Sequence, residues 1–347
     1  MKLLIITQKV DKNDQLLGFF IGWLERLAKK FDQVLVFCLE KGKFNLPKNV
    51  QVISLGKDQH LPKLAWLFNF YKYIFQYRRQ YDAVLVHMNP IWMVLGGICW
   101  RLMDKKNYLW YTSGGVTAKL KLAEKLTHTI FTASEESFRV PSKKVIVTDH
   151  GIDTDLFRPD PNYQPRTINS QLRILSVGRI APVKNYEVLI GAAKILHNEG
   201  MDISVTIIGE PALDKDKKYQ EGLKFQINNL GLEGLFDFIG KVGHQDLPRY
   251  YQNHDLFVHL SKTGSVDKTL LEAMASGMNV LSSNESSRSF LPPEIIFNEN
   301  DSEELADKIK KAKHAGIPYD LRAYVETHHN LDNLIEKVSR IIHEKNH

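Results

Sequence analysis

An α/β fold built from two doubly wound parallel sheets follows from three features of the sequence. Short apolar runs alternate with helix-patterned segments along almost the whole chain. The alternation breaks once, in a polar stretch carrying Pro159, Pro161 and Pro165. The length, 347 residues, suits two domains better than one. In the first half the runs 3–7, 34–39, 50–55, 83–87, 108–112, 129–132 and 144–148 read as strands. The run 3–7 is apolar and continuous, as a strand covered on both faces should be. Between these runs, 18–31 carries helical spacing through Phe19, Trp23, Leu24 and Leu27, 64–79 reads as an aromatic-rich helix, and another helix runs through Arg101. Beyond the break, strands at 173–177, 204–209, 236–239, 256–260 and 279–282 alternate with helices at 186–198, 217–230, 245–252 and 270–276. Strand–helix–strand spacing of this kind implies right-handed crossovers. We therefore expect a domain over 1–160, a second over 161–320, and a C-terminal helical segment, 321–347, that packs on its own domain or crosses back to the first.

Composition narrows the class. The chain is 43% hydrophobic and 25% charged, as globular proteins are. Cys38 and Cys99 both sit in apolar runs, so a disulfide framework and a four-ligand zinc site are excluded, and a reducing, cytoplasmic compartment is expected. The apolar start, residues 1–7, is too short for a signal segment or a membrane span and reads as a first strand. Net charge is +6, and residues 1–160 hold 24 Lys/Arg against 15 Asp/Glu. A basic first domain suits an anionic partner: a lipid surface at the inner face of the membrane, or a diphosphate-linked acceptor. The helix over 61–79, with Trp66, Phe68, Phe70, Tyr71, Tyr73, Phe75 and Tyr77 between basic ends, reads either as an interfacial helix or as a packing helix. No basic recognition helix or RNA-binding signature is present, so nucleic acid is not expected as a partner.

Ligands of open parallel sheets bind beyond the carboxyl ends of strands, where helix N-termini face anions. After the strand ending at Val177 comes Gly178-Arg179-Ile180-Ala181-Pro182-Val183-Lys184-Asn185. Gly178 permits a sharp turn, and Arg179 and Lys184 stand ahead of the next helix. Two cations and a helix N-terminus suffice to hold a diphosphate without a metal. After the strand ending at Leu260 comes a small polar loop whose amides around Gly264, Ser265 and Val266 can meet phosphate or sugar oxygens. Lys268 and Thr269 follow, and Glu272 can accept the two hydroxyls of a ribose. Three further candidates come from position. His87 ends a strand, His150 precedes Gly151 at another strand end, and Gly18 closes the polar loop that follows the first strand.

Val177-Gly178-Arg179 with Lys184-Asn185, then Leu271-Glu272-Ala273-Met274-Ala275-Ser276-Gly277, with His150-Gly151-Ile152-Asp153 ahead of Phe157-Arg158-Pro159, together resemble glycosyltransferase family 4. The resemblance runs over nearly the whole chain and is strongest over 145–285. It implies a GT-B fold, two Rossmann-like domains facing across a cleft, and retaining transfer of a sugar from a nucleotide-sugar donor to a glycan or lipid-linked glycan. The donor, of the UDP or GDP type, is a substrate; no cofactor and no metal are implied. By the same resemblance Arg179 and Lys184 bind the diphosphate and Glu272 the ribose. Lys241 and Val242 line the base pocket, residues 264–268 cradle sugar and phosphates, and the loop containing Gly18 lies over donor or acceptor.

Two departures stand out. The family places a second glutamate where this chain has Gly264, with Asp267 nearby at a different spacing. Many relatives carry a histidine where this chain reads Ser113-Gly114-Gly115. These substitutions leave open a catalytically degenerate nucleotide-sugar-binding protein. A sugar-nucleotide 2-epimerase on the same fold is a further alternative.

Overall fold

The computed structural model describes residues 1–162, 170–262, 265–315 and 318–345. The first half comprises β1 (Lys2–Val10), α1 (Phe20–Ala28), β2 (Gln33–Lys41), β3 (Val50–Ser54), α2 (Lys63–Gln76), β4 (Ala83–His87), α3 (Pro90–Leu102), β5 (Lys106–Trp110), α4 (Ala118–Leu126), β6 (Thr129–Thr132) and β7 (Val145–Val147). The second comprises β8 (Leu172–Val177), α5 (Tyr186–Asn198), β9 (Ile203–Ile208), α6 (Asp214–Asn229), β10 (Phe236–Gly240), α7 (Pro248–Asn253), β11 (Leu256–His259), α8 (Lys268–Ala275), β12 (Asn279–Ser282), α9 (Ser302–Ala315), α10 (Leu321–His328) and α11 (Leu331–Glu344). They form two compact units. One is Met1–Asp153 with Gly243–Gln245 and His329–His347; the other is Thr154–Val242 with Asp246–His328.

Each unit is built on one parallel sheet, and every strand expected from the sequence is present. The first sheet runs β3-β2-β1-β4-β5-β6-β7 and the second β10-β9-β8-β11-β12. All pairings are parallel, so all strand ends of one polarity lie along one edge. In each sheet the winding reverses once, at β1/β4 and at β8/β11. Helices leave these two strands toward opposite faces, which opens a crevice beyond their carboxyl ends.

In the first unit α2, α3 and α4 cover one face of the sheet with Phe70, Ile74, Trp92, Met93, Trp100 and Leu120. The other face is covered by α1 and α11 through Trp23, Leu24, Leu27, Leu334, Ile335 and Val338. An ion-pair cluster fixes α11 there. The Arg26 guanidinium donates to both carboxylate oxygens of Asp153, at 3.0 and 3.1 Å, and through Nε to Asp332 at 2.9 Å.

Four elements depart from the sequence expectation. The helical C-terminus is two helices, because the backbone at the junction is used for something else. Ile152 donates to His329 O and accepts from Leu331, and a helix cannot run through that bridge. Asn330 then restarts the helix by accepting the amides of Asp332 and Asn333. The expected helix 245–252 is a 3₁₀ turn at His244–Asp246 followed by α7, with Pro248 opening the helix where its missing N–H costs nothing. Helices α4 and α9 were not expected. Their apolar stripes are narrow, Leu120 with Ala123, and Leu305 with Ala306 and Ile309.

The α11 contact can be tested by cavity creation. Ile335 is fully enclosed, so Ile335→Ala should lower unfolding free energy by about 2–5 kcal/mol. Urea denaturation measures the loss, and the α1 amides should lose hydrogen-exchange protection with it.

Candidate active site

The second unit's reversal point brings two loops together. Val177 at the end of β8 passes into Gly178, and a single 3₁₀ turn, Pro182–Lys184, leads to Asn185 in the left-handed region (φ 48°) at the start of α5. Asparagine tolerates that conformation, and its side chain is held by Glu299 O at 2.7 Å. Gly178 makes room: a Cβ there would lie 3.3 Å from Lys184 Cε. The Tyr186 hydroxyl donates to Gly178 O at 3.3 Å, and Lys262 N donates to Val183 O at 2.9 Å, which ties the two loops together. Lys184 is thereby aimed across the crevice toward the loop after β11, and Arg179 is exposed.

On that second loop the Lys184 ammonium meets an internal carboxylate. It pairs with Asp267 and donates to Ser261 Oγ at 3.2 Å. Asp267 also contacts His259 Nε2 at 3.1 Å, and His259 Nδ1 lies 3.2 Å from Ser282 Oγ. Ser287 Oγ donates to Ser282 Oγ at 3.0 Å, and Asn284 Nδ2 donates to Ser261 O at 2.9 Å. The result is a continuous chain from Lys184 through Asp267 and His259 to the β12 end. Burial opposes ionisation of Asp267, but Lys184 and His259 outweigh it and hold its carboxyl far below the usual range. Burial lowers the His259 pKa despite Asp267, so the ring is neutral near pH 7.

The start of α8 completes the site. Glu272 is buried on the helix and accepts from the Tyr251 hydroxyl at 3.2 Å. Burial and that carboxylate push the Tyr251 phenol well above its ordinary value. One turn earlier, burial pushes the Lys268 ammonium down to about 7, against the pull of Glu272. Thr269 Oγ1 is buried without a hydrogen-bond partner among the described residues. Ser265 O accepts from Asn284 at 3.3 Å, and Val266 is half-buried. Gly264 lies outside the described residues. After β10, Lys241 is exposed and Val242 buried.

The first unit's candidates are more enclosed. His87 ends β4 at that sheet's own reversal point, 1% exposed. Its Nδ1 lies 3.1 Å from Thr7 Oγ1 on β1, and its ring stacks on Phe20 at 4.2 Å. Asn89 donates to Gln8 across the same junction at 3.1 Å. Gly18 closes a turn onto Asp14 O; a Cβ there would lie 2.4 Å from that oxygen, so a side chain would force the turn's backbone to shift. His150 is buried and its amide donates to His329 Nδ1 at 3.3 Å.

Residues 164–329 match the family model described as glycosyl transferases group 1. The matched segment is just under half of the chain, 166 of 347 residues. Lys184, His259, Asp267 and Glu272 all lie inside it. The amylovoran biosynthesis glycosyltransferase AmsK of Erwinia amylovora is 30% identical over 223 residues, covering 58% of this chain and 51% of that protein. Mannosylfructose-phosphate synthase of Agrobacterium fabrum is 29% identical over 149 residues, covering 41% of this chain and 33% of the synthase. The chain thus spans between a third and about half of the length of these relatives. Among solved structures, Anabaena HepE in complex with UDP matches with a TM-score of 0.78 at 19% identity, covering 99% of this chain and 100% of that one. The likeness shows the fold, GT-B.

His259 escaped the sequence reading because it closes an apolar strand and looks like one more buried side chain. The signal that would have found it is its eight-residue spacing from Asp267, which spans one strand end and one loop. The Lys184–Asp267–His259 chain makes a pH prediction. Asp267, depressed on folding, contributes stability that is complete above its unfolded pKa near 4 and is lost as pH falls through the folded value. Lowered His259 acts in the same direction, its contribution fading below about pH 6.5. Asp267→Asn should therefore cost about 1–3 kcal/mol at pH 7. The gap to wild type should close as pH falls below 4, measured by urea midpoints across pH.

Proposed function

We propose that this chain transfers a sugar from a nucleoside-diphosphate sugar to an acceptor hydroxyl on a glycan or lipid-linked glycan, with retention and without a metal. The observation that carries the reading is Lys184, aimed by a glycine-lined turn into the reversal-point crevice of the segment that matches the group 1 model. In this reading Lys184 and Arg179, with the α5 and α8 N-termini, stabilise the departing diphosphate. Ser265, Val266, Lys268 and Thr269 face phosphate and sugar oxygens. Glu272, oriented by Tyr251, accepts the ribose hydroxyls. Lys241 and Val242 flank the base. The bond between the anomeric carbon and the diphosphate oxygen breaks, the acceptor oxygen bonds to that carbon on the same face, and the acceptor proton passes to the leaving phosphate. His87 holds the β1/β4 junction in register through Thr7, and Gly18 and His150 shape the same side of the first unit.

The donor must compete with Asp267 for Lys184. A site whose cation is already paired binds with an apparent affinity reduced by the fraction of time the cation is available. The same pairing favours a second reading, a domain that binds nucleotide sugars but no longer transfers them.

A thermal-shift screen with UDP-, GDP-, ADP- and CDP-sugars should pick out one base, and transfer assays with that donor separate the two readings. Lys184→Ala should abolish the shift and lower kcat/KM roughly hundred-fold. Unchanged binding in that variant would remove the assignment. Asp267→Asn should bind the nucleoside diphosphate about tenfold more tightly.

A further inference from the structure

The outer face of α2, α3 and α4 combines two properties that seldom coincide on a protein surface. On α2, Phe70 and Ile74 point into the core. At the opposite side of the helix, Leu64, Phe68, Lys72 and Phe75 recur at spacings of four, four and three, and form an exposed stripe. Leu64 is 80% and Phe68 69% exposed. On α3 the exposed positions are Ile98, Arg101 and Leu102, the last at 84%. On α4 they include Lys121, Leu122 and Lys125. The three helices lie side by side on one face of the sheet. Phe70 packs its ring against Trp92 and Trp100, Tyr71 donates to Leu95 O, and Arg101 donates to Lys125 O. Their outward stripes therefore share one surface.

The three helices themselves carry exposed cations and no exposed acid. Lys63, Lys72, Arg101, Lys119, Lys121 and Lys125 are exposed on the three helices, and Arg78 and Arg79 follow α2 directly. The single acidic side chain on these helices, Glu124, is half-buried and pairs with Lys144 at 3.5 Å. Two exposed acids, Asp82 and Asp104, border this surface where α2 and α3 run on into β4 and β5, and there Arg78, Arg79 and Arg101 outnumber them. The other face of the same unit is different. There α11 carries Asp332, Glu336 and Glu344, and no large apolar side chain of α1 or α11 is exposed.

We propose that the α2–α3–α4 face docks on the surface of an anionic lipid bilayer. Protruding phenylalanines and leucines enter the headgroup–acyl boundary, and the interspersed cations meet lipid phosphates. A second copy of the chain is disfavoured as occupant because two such faces would bring like charges together. A soluble polyanion would use the cations and leave the apolar side chains unpaid for.

Co-sedimentation of the full chain with vesicles tests this independently of any donor or acceptor. Vesicles of phosphatidylcholine with about one-third phosphatidylglycerol should bind the protein, and vesicles of phosphatidylcholine alone should not. Raising salt from about 0.1 M to 0.5 M should weaken binding at least tenfold. The combined change Phe68→Ser, Phe75→Ser and Leu102→Ser should lower binding by a similar factor with no loss of thermal stability. Lys29→Glu with Lys48→Glu, a charge change elsewhere on the same unit, should leave it within twofold. Absence of binding to anionic vesicles overturns the proposal. So does equal weakening by both variants, or binding to soluble polyphosphate that matches the vesicles and ignores the phenylalanine changes. Nucleotide-sugar binding, read separately by thermal shift, is expected to be the same in all of these variants. Failure of vesicle binding therefore leaves the transfer reading untouched.

Discussion

Everything at the two reversal points depends on one constraint: all strands of each sheet run the same way. A parallel strand cannot turn back by a hairpin; it must return by a crossover, so each strand end delivers its loop to the same edge. Residues far apart in sequence then become neighbours without any dedicated contact. Lys184 and Asp267 are 83 residues apart, Thr7 and His87 are 80 apart, and each pair meets where the winding reverses. The apolar cores beneath need only hold the strands in register. Chemistry is left to the loops, and those loops vary without cost to the sheet.

The charge balance in the second unit follows from that placement. A lysine buried in a crevice without a partner would lose hydration it could not recover. Asp267 supplies the partner, and His259, Ser282 and Ser287 hold Asp267 from behind. Such a chain is stable in the absence of any ligand, and it keeps Lys184 extended toward the crevice in place of folding back onto its own loop. Pre-organisation and partial neutralisation are thus the same interaction. How much of each is present decides whether a bound anion finds a cradle or a competitor.

Much of this was legible in the sequence, and what was missed was missed for identifiable reasons. All twelve strands announced themselves as short runs rich in apolar residues: β4 is buried along its whole length, whereas β10 is part-exposed and turns Asp237 outward. Lys184 and Glu272 stood out because their neighbours formed patterns in a fixed order. His259 did not, since a histidine closing an apolar run looks like a buried side chain until the loop eight residues on is seen to return to it. Helices α4 and α9 were overlooked because each buries only two or three side chains, too few to produce a period. The break between α10 and α11 depends on a backbone bridge to Ile152, a contact across 178 residues that no local pattern encodes. The aromatic helix α2 was ambiguous from its sequence; the structure divides its rings, with Phe70 inside and Phe68 and Phe75 outside.

The discontinuous make-up of the first unit bears on how the chain matures. Its sheet is assembled from residues that precede the second unit, but the helix that covers one face, α11, is made only after it. Throughout synthesis of the intervening segment, Trp23, Leu24 and Leu27 of α1 have no Leu334, Ile335 or Val338 to pack against. The second unit, nearly contiguous, can close before the first is finished. The nascent chain therefore carries an unsealed apolar groove while the segment between Asp153 and His329 is made, the interval in which a holdase chaperone has most to protect.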